Sequence, residues 1–252
     1  MRVAFVGKGG AGKSALSGTF ARVLARRGDR VLALDSDPMP GMAFSLGVPV
    51  SDAGLPDDVV EEYEQDGRRR YRLRAGLSGP QVVDRYAAHA PDGVRFLQLG
   101  KARGPRWANT RQHFGFQGVL DDLPGEGWSI VGDLPGGTRQ PFLTWGRYTR
   151  TFLLVVEPTA ASLLTARRLS RLSGMRGAPH VAAVANKVRE PGDRERVAEE
   201  TGLPVLAAVP FDAAMGEAAR TGRPLLDVDP DAPAVAAVRS LADALHTETE
   251  SP

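Results

Sequence analysis

Gly7-Lys8-Gly9-Gly10-Ala11-Gly12-Lys13-Ser14 follows directly on the apolar run Arg2-Val3-Ala4-Phe5-Val6 and precedes a segment with apolar residues at Leu16, Phe20, Val23 and Leu24. The order is strand, glycine-rich loop, helix. In a loop of the pattern G-x-x-x-x-G-K-[ST], glycines let backbone N–H groups turn inward onto phosphate oxygens. The lysine reaches the β- and γ-phosphates, and the hydroxyl holds Mg²⁺. Gly9, Gly10, Ala11, Gly12, Lys13, Ser14 and Ala15 are therefore the expected phosphate contacts, with Ser14 a metal ligand. The helical spacing from Ser14 to Arg27 turns a helix N-terminus toward the anion. Lys8 is a second lysine inside the same loop. Because Lys13 already serves the phosphates, Lys8 reads as a charge offered to a second nucleotide.

Working outward, strand-like apolar runs recur at Val31–Leu34, Val94–Leu97, Ser129–Val131, Thr151–Val156, Val181–Val184 and Val205–Val209. Helical segments separate several of them, notably Ala160–Ser173, Asp193–Thr201 and Ala232–His246. Short apolar strands alternating with amphipathic helices predict an α/β fold, a mostly parallel central sheet flanked by helices on both faces. The 252 residues suit one such domain spanning 1–252. Ligands bind beyond the carboxyl ends of such strands, where the phosphate loop lies.

Two stretches depart from this rhythm. Residues 51–92 carry Glu61-Glu62-Tyr63-Glu64 and then Arg68-Arg69-Arg70-Tyr71-Arg72-Leu73-Arg74, which fits either a lid or hairpin inserted over the site or a solvated excursion. Gly104–Gly118, with Trp107, His113, Phe114 and Phe116, is expected to be irregular. Its aromatics suit either a partner contact or the core.

The strand at Val31 ends in Asp35-Ser36-Asp37-Pro38. Hydrolysis of a terminal phosphate needs a group that orients water in line with the leaving oxygen. Asp37 is the candidate for that role, with Asp35 assisting Mg²⁺. The strand at Ser129 ends in Gly132-Asp133-Leu134-Pro135-Gly136-Gly137, an aspartate near the metal followed by glycines that let the backbone respond to the γ-phosphate. At Asn186-Lys187-Val188-Arg189, the last position of a guanine-reading N-K-x-D motif is Arg189, which has donors only and cannot accept from guanine. Adenine is favoured, with Asn186 reading its edge and Pro210 and Phe211 packing on the ring.

Composition narrows the rest. Acidic and basic residues nearly cancel to a net charge of +2, so nucleic acid is not demanded as a partner. The sequence holds no cysteine, which excludes disulfides and thiolate-bound iron–sulfur clusters. With no membrane-length apolar run, no membrane anchor is expected and a cytoplasmic protein is.

The K-G-G-x-G-K-[ST] loop resembles that of the deviant Walker-A ATPases, the MinD/ParA group that includes the nitrogenase iron protein and the arsenite-pump ATPase. Within that group the chain most resembles nickel-insertion ATPases that mature carbon monoxide dehydrogenase. The similarity rests on Asp92-Gly93-Val94 through Gly100-Lys101, Val156-Glu157-Pro158-Thr159, Ser162 and Thr165-Ala166-Arg167-Arg168. The resemblance implies that Lys13 is the phosphate lysine, Ser14 a magnesium ligand and Lys8 the lysine that crosses to a partner's ATP. It likewise implies Asp37 and Asp133 as the catalytic aspartates of two switches, and Asn186 as the adenine reader. Two ATP molecules would be sandwiched in a homodimer that acts, through slow and partner-stimulated hydrolysis, on an unidentified client protein or complex. The metal-binding C-x-C of the nickel-insertion ATPases has no counterpart here. The alternative is a partitioning or positioning ATPase that binds DNA or another surface such as a membrane, with Arg167, Arg168 and Arg171 as a basic face for DNA.

Overall fold

The computed structural model describes residues 1–37, 41–100, 106–124, 127–136, 142, 146–176 and 180–250, with no account of the side chains of 106–110, 175–176 and 248–250. The readings placed on Pro38, Lys101, Gly104 and Gly137, and on the Trp107 side chain, lie outside these residues. In chain order the elements are β1 (Arg2–Gly7), α1 (Lys13–Arg26), β2 (Val31–Asp35), α2 (Met42–Leu46), β3 (Val60–Gln65), β4 (Arg68–Leu73), α3 (Gly79–Tyr86), β5 (Ala88–His89), β6 (Arg95–Gln98) and α4 (Arg106–Asp121). There follow β7 (Ser129–Asp133), β8 (Thr151–Val156), α5 (Ala160–Arg176), β9 (Val181–Val188), α6 (Asp193–Thr201), β10 (Val205–Pro210), α7 (Ala213–Thr221), α8 (Leu225–Val228) and α9 (Pro233–Glu250).

The main sheet runs β10-β9-β8-β1-β7-β2-β6-β5 among the described residues. Its neighbours are parallel except the short β5, which runs antiparallel to β6. Helices cover both faces, so the inner strands are apolar almost throughout. Strand alternation divides their side chains between two cores. Val3, Phe5, Val31 and Val131 pack with α1, α2 and α9, whereas Ala4, Val6, Leu32 and Ile130 pack with α3, α4 and α5. In α9, Val235, Val238, Leu241 and Leu245 are buried in the first core.

Of the stretch expected to be irregular, residues 106–118 are instead part of helix α4. Its glycines mark a close approach: a Cβ at Gly115 would lie 2.4 Å from Val60 Cγ2, and one at Gly118 would lie 3.1 Å from Leu73 Cγ. Those neighbours belong to the antiparallel β3–β4 ribbon. The ribbon, built from the charged run, thus lies along α4, with Tyr71 stacked on Phe114 at 5.6 Å between centroids.

Candidate nucleotide site

Strand order alone gathers the expected chemistry. β7 lies between β1 and β2, and its register sets Asp133 level with Phe5 on one side and Asp35 on the other. The phosphate loop leaves the end of β1, so loop, Asp133 and Asp35 share one edge of the sheet.

Gly12 precedes α1 with φ of 94°, a conformation that L side chains rarely adopt. A Cβ there would also come within 2.4 Å of Asn186 Nδ2. Asn186 is fully buried beneath the loop and donates from Nδ2 to Ala11 O at 2.7 Å. Lys187 braces the same loop, donating from Nζ to Gly10 O at 3.0 Å while paired with Glu157. The loop is held from below by side chains, which leaves its upper surface for a ligand.

Lys13 is buried and Lys8 is exposed. The two lysines therefore occupy different environments within one loop. Ser14 Oγ donates to Asp133 Oδ2, and Asp133 Oδ1 is buried without a hydrogen-bond partner. Burial, then repulsion from Asp35, pushes the Asp133 carboxyl up to about 8; the Ser14 bond and the Lys13 charge oppose that rise. Burial likewise raises Asp35 to about 6, against hydrogen bonds from the Met42 and Asp37 backbone N–H groups, each at 3.0 Å. Two crowded carboxylates, one with an orphaned oxygen beside a hydroxyl, form an oxygen donor set suited to a hard divalent cation. Asp37 is half-buried where the chain leaves β2.

Beyond the loop, Gly136 comes back over it, its added Cβ falling 3.4 Å from Gly9 N. Tyr148 closes the other side of β7. A Cβ at Gly132 would fall 1.6 Å from its hydroxyl oxygen, so only glycine leaves room for the phenol. Sequence reasoning did not single out Tyr148, because the contact depends on the register of β7.

A cavity of about 270 Å³ opens beside Ser14 and Ala15, walled by Phe44 of α2 and by Met215, Ala218 and Ala219 of α7. Small residues on α7 carry no motif and gave no signal in the sequence. Pro210 and Phe211 immediately precede this helix, and Phe211 is 52% exposed. The Arg189 guanidinium lies 3.5 Å from the centroid of the Phe211 ring, in cation–π contact. Asn186, by contrast, stands behind the loop. Phe116 belongs to the core, whereas Phe114 is 40% exposed. On α5, Arg167 is paired with Glu200 at 3.1 Å.

The family model described as the CobQ/CobB/MinD/ParA nucleotide binding domain matches residues 3–226. The carbon monoxide dehydrogenase accessory protein CooC of Rhodospirillum rubrum is 28% identical over 252 residues, covering 91% of this chain and 91% of the relative. The human cytosolic Fe-S cluster assembly factor NUBP2 is 26% identical over 264 residues, covering 96% and 90%. Among solved structures, the septum site-determining protein MinD of Pyrococcus horikoshii, complexed with Mg-ADP, superposes with a TM-score of 0.73 at 18% identity, covering 98% of this chain and 96% of that one. Among the described residues, no helix is long and apolar enough to cross a membrane.

Proposed function

The chain belongs to the CobQ/CobB/MinD/ParA nucleotide-binding domain family, and from that premise we propose that it is a Mg²⁺-dependent ATPase that closes as a homodimer on ATP, reopens after hydrolysis and so acts on a client protein or complex. The observation that carries this reading is the split between the two loop lysines, Lys13 buried and Lys8 exposed. A buried Lys13 beside Asp133 is placed to neutralise the β- and γ-phosphates. An exposed Lys8 contributes to catalysis only when something brings a second nucleotide to it, and a second copy of the chain does so symmetrically.

In this reading Ser14 and Asp133 hold Mg²⁺, with Asp35 reaching it through water. The cation, when bound, withdraws charge from the phosphate oxygens. Asp37 orients the attacking water, and Lys8 of the partner subunit stabilises the charge that develops on the transferred group. Gly136, folded back toward Gly9 of the phosphate loop, would respond to a γ-phosphate bound there and so couple nucleotide state to the segment after β7. Adenine takes the side of the site bounded by Pro210, Phe211 and the cavity at Met215. Asn186 supports the loop and reaches the base only if its bond to Ala11 opens. The relatives named for metalloenzyme accessory and cluster assembly work favour a maturation client over a genome, and the Arg167 pairing with Glu200 reduces the basic face that DNA binding would need.

Steady-state phosphate release tests the assignment. Lys13→Ala is expected to abolish nucleotide binding. Lys8→Ala is expected to bind ATP normally yet hydrolyse it about 10²-fold more slowly, the size of effect seen when one charge-stabilising donor is lost. Wild-type turnover in Lys8→Ala would remove the trans lysine from the mechanism.

A further inference from the structure

The β3–β4 ribbon contributes none of the residues assigned to the nucleotide site, yet its second strand carries four arginines in six residues. Its antiparallel register pairs Glu61 with Arg72, Tyr63 with Arg70 and Gln65 with Arg68, and directly paired residues share a face. The other face carries Tyr71 and Leu73 onto α4, and its Arg69 is neutralised by Glu62 at 2.8 Å. The outward face therefore holds Arg68, Arg70 and Arg72 in one row against a single carboxylate. Glu61 engages Arg72 at 2.6 Å, and the Arg72 guanidinium also lies 4.8 Å from the centroid of the Tyr63 ring. Arg68 and Arg70 are exposed and have no acidic partner among the described residues.

The ribbon also has a direction. Leu73 lies against Gly118 and Tyr71 against Phe114, so stepping back along β4 climbs α4 toward its N-terminus. The row of arginines thus runs back along α4 from Gly118 past Phe114.

We propose that the outward face of the β3–β4 ribbon is a docking surface for an extended acidic segment of a partner protein, held by Arg68 and Arg70, with Arg72 committed to Glu61 beside them. Alternate residues of a strand are about 6.6 Å apart, so carboxylates at every second position of an extended peptide match the arginine spacing one to one. Each Arg–carboxylate contact can be bidentate. The field is a narrow stripe, with Glu61 at its one end and Glu62 and Glu64 on the opposite face, which suits a single extended chain better than a nucleic acid duplex carrying charge on all sides. The surface stands apart from the catalytic residues, so its success or failure is independent of the ATPase reading.

The test is fluorescence anisotropy at low ionic strength with three labelled probes: a peptide of alternating Glu and Val, the same peptide with Lys for Glu, and a short DNA duplex. The acidic peptide should bind, weaken as salt rises, and lose affinity by about tenfold or more in the Arg68→Glu/Arg70→Glu double variant, as expected for reversed charge at a contact. Phosphate release and thermal midpoint of that variant should stay at wild-type values, because both side chains are solvent-exposed. Equal binding by wild type and variant, no binding of the acidic peptide, or tighter binding of the duplex that is lost in the variant would each overturn the proposal.

Discussion

Asp133 concentrates the physical tension of the site in one side chain. It is buried, faces Asp35 across adjacent strands and leaves one oxygen without a partner. Because the folded state raises both carboxyl pKa values, to about 8 for Asp133 and about 6 for Asp35, the native protein binds more protons than the unfolded chain. The associated stability is present below the ordinary aspartate value near 4 and is lost as pH rises through about 6 to about 8. In chelator, the thermal midpoint of the wild type should fall between about pH 5 and about pH 8.5, whereas Asp133→Asn should flatten that fall and melt higher at the alkaline end. Added Mg²⁺ should restore the wild type but not the variant. Scanning calorimetry across pH decides; identical slopes for both proteins would refute the crowded-carboxylate account.

At the scale of elements, α1 is the piece whose anchoring matters most, since it starts at Lys13. Arg22 fastens its second half. This guanidinium is 2% exposed and meets Asp92 at 2.7 Å and Asp227 at 2.8 Å, joining α1 to α8 and to the turn before β6. Removing one member of a buried ion pair costs about 3–5 kcal/mol, but Asp92 and Asp227 keep access to water and would be partly rehydrated. Arg22→Ala should therefore destabilise by about 2 kcal/mol in denaturant titration, and Arg22→Met by less, because it refills the volume. A neutral Arg22→Ala would show that these bonds contribute nothing net. α1 was legible in the sequence because its apolar spacing is undisturbed. α4 was not, since Gly115 and Gly118 answer to the ribbon packed on them, a tertiary demand that local propensity does not record.

Over the whole molecule, the reading of the chain as a parallel sheet with its chemistry on one edge was available from Gly7–Ser14, Asp35 and Asp133, because strand ends and glycine loops have their own local signatures. What local patterns could not reveal was which residues oppose which. The Tyr148 packing on Gly132, the α7 wall at Met215 and the Arg189 cover on Phe211 depend on strand order and register. In the proposed mechanism the exposed Lys8 links this single-chain architecture to an assembly, because its charge serves the nucleotide of a second copy. Mass measurement by light scattering with Mg-ATP tests that link most directly, using Asp37→Ala to stall hydrolysis. Asp37→Ala should run as a dimer and Lys8→Ala/Asp37→Ala as a monomer under the same conditions; the same mass for both variants would remove Lys8 from the interface.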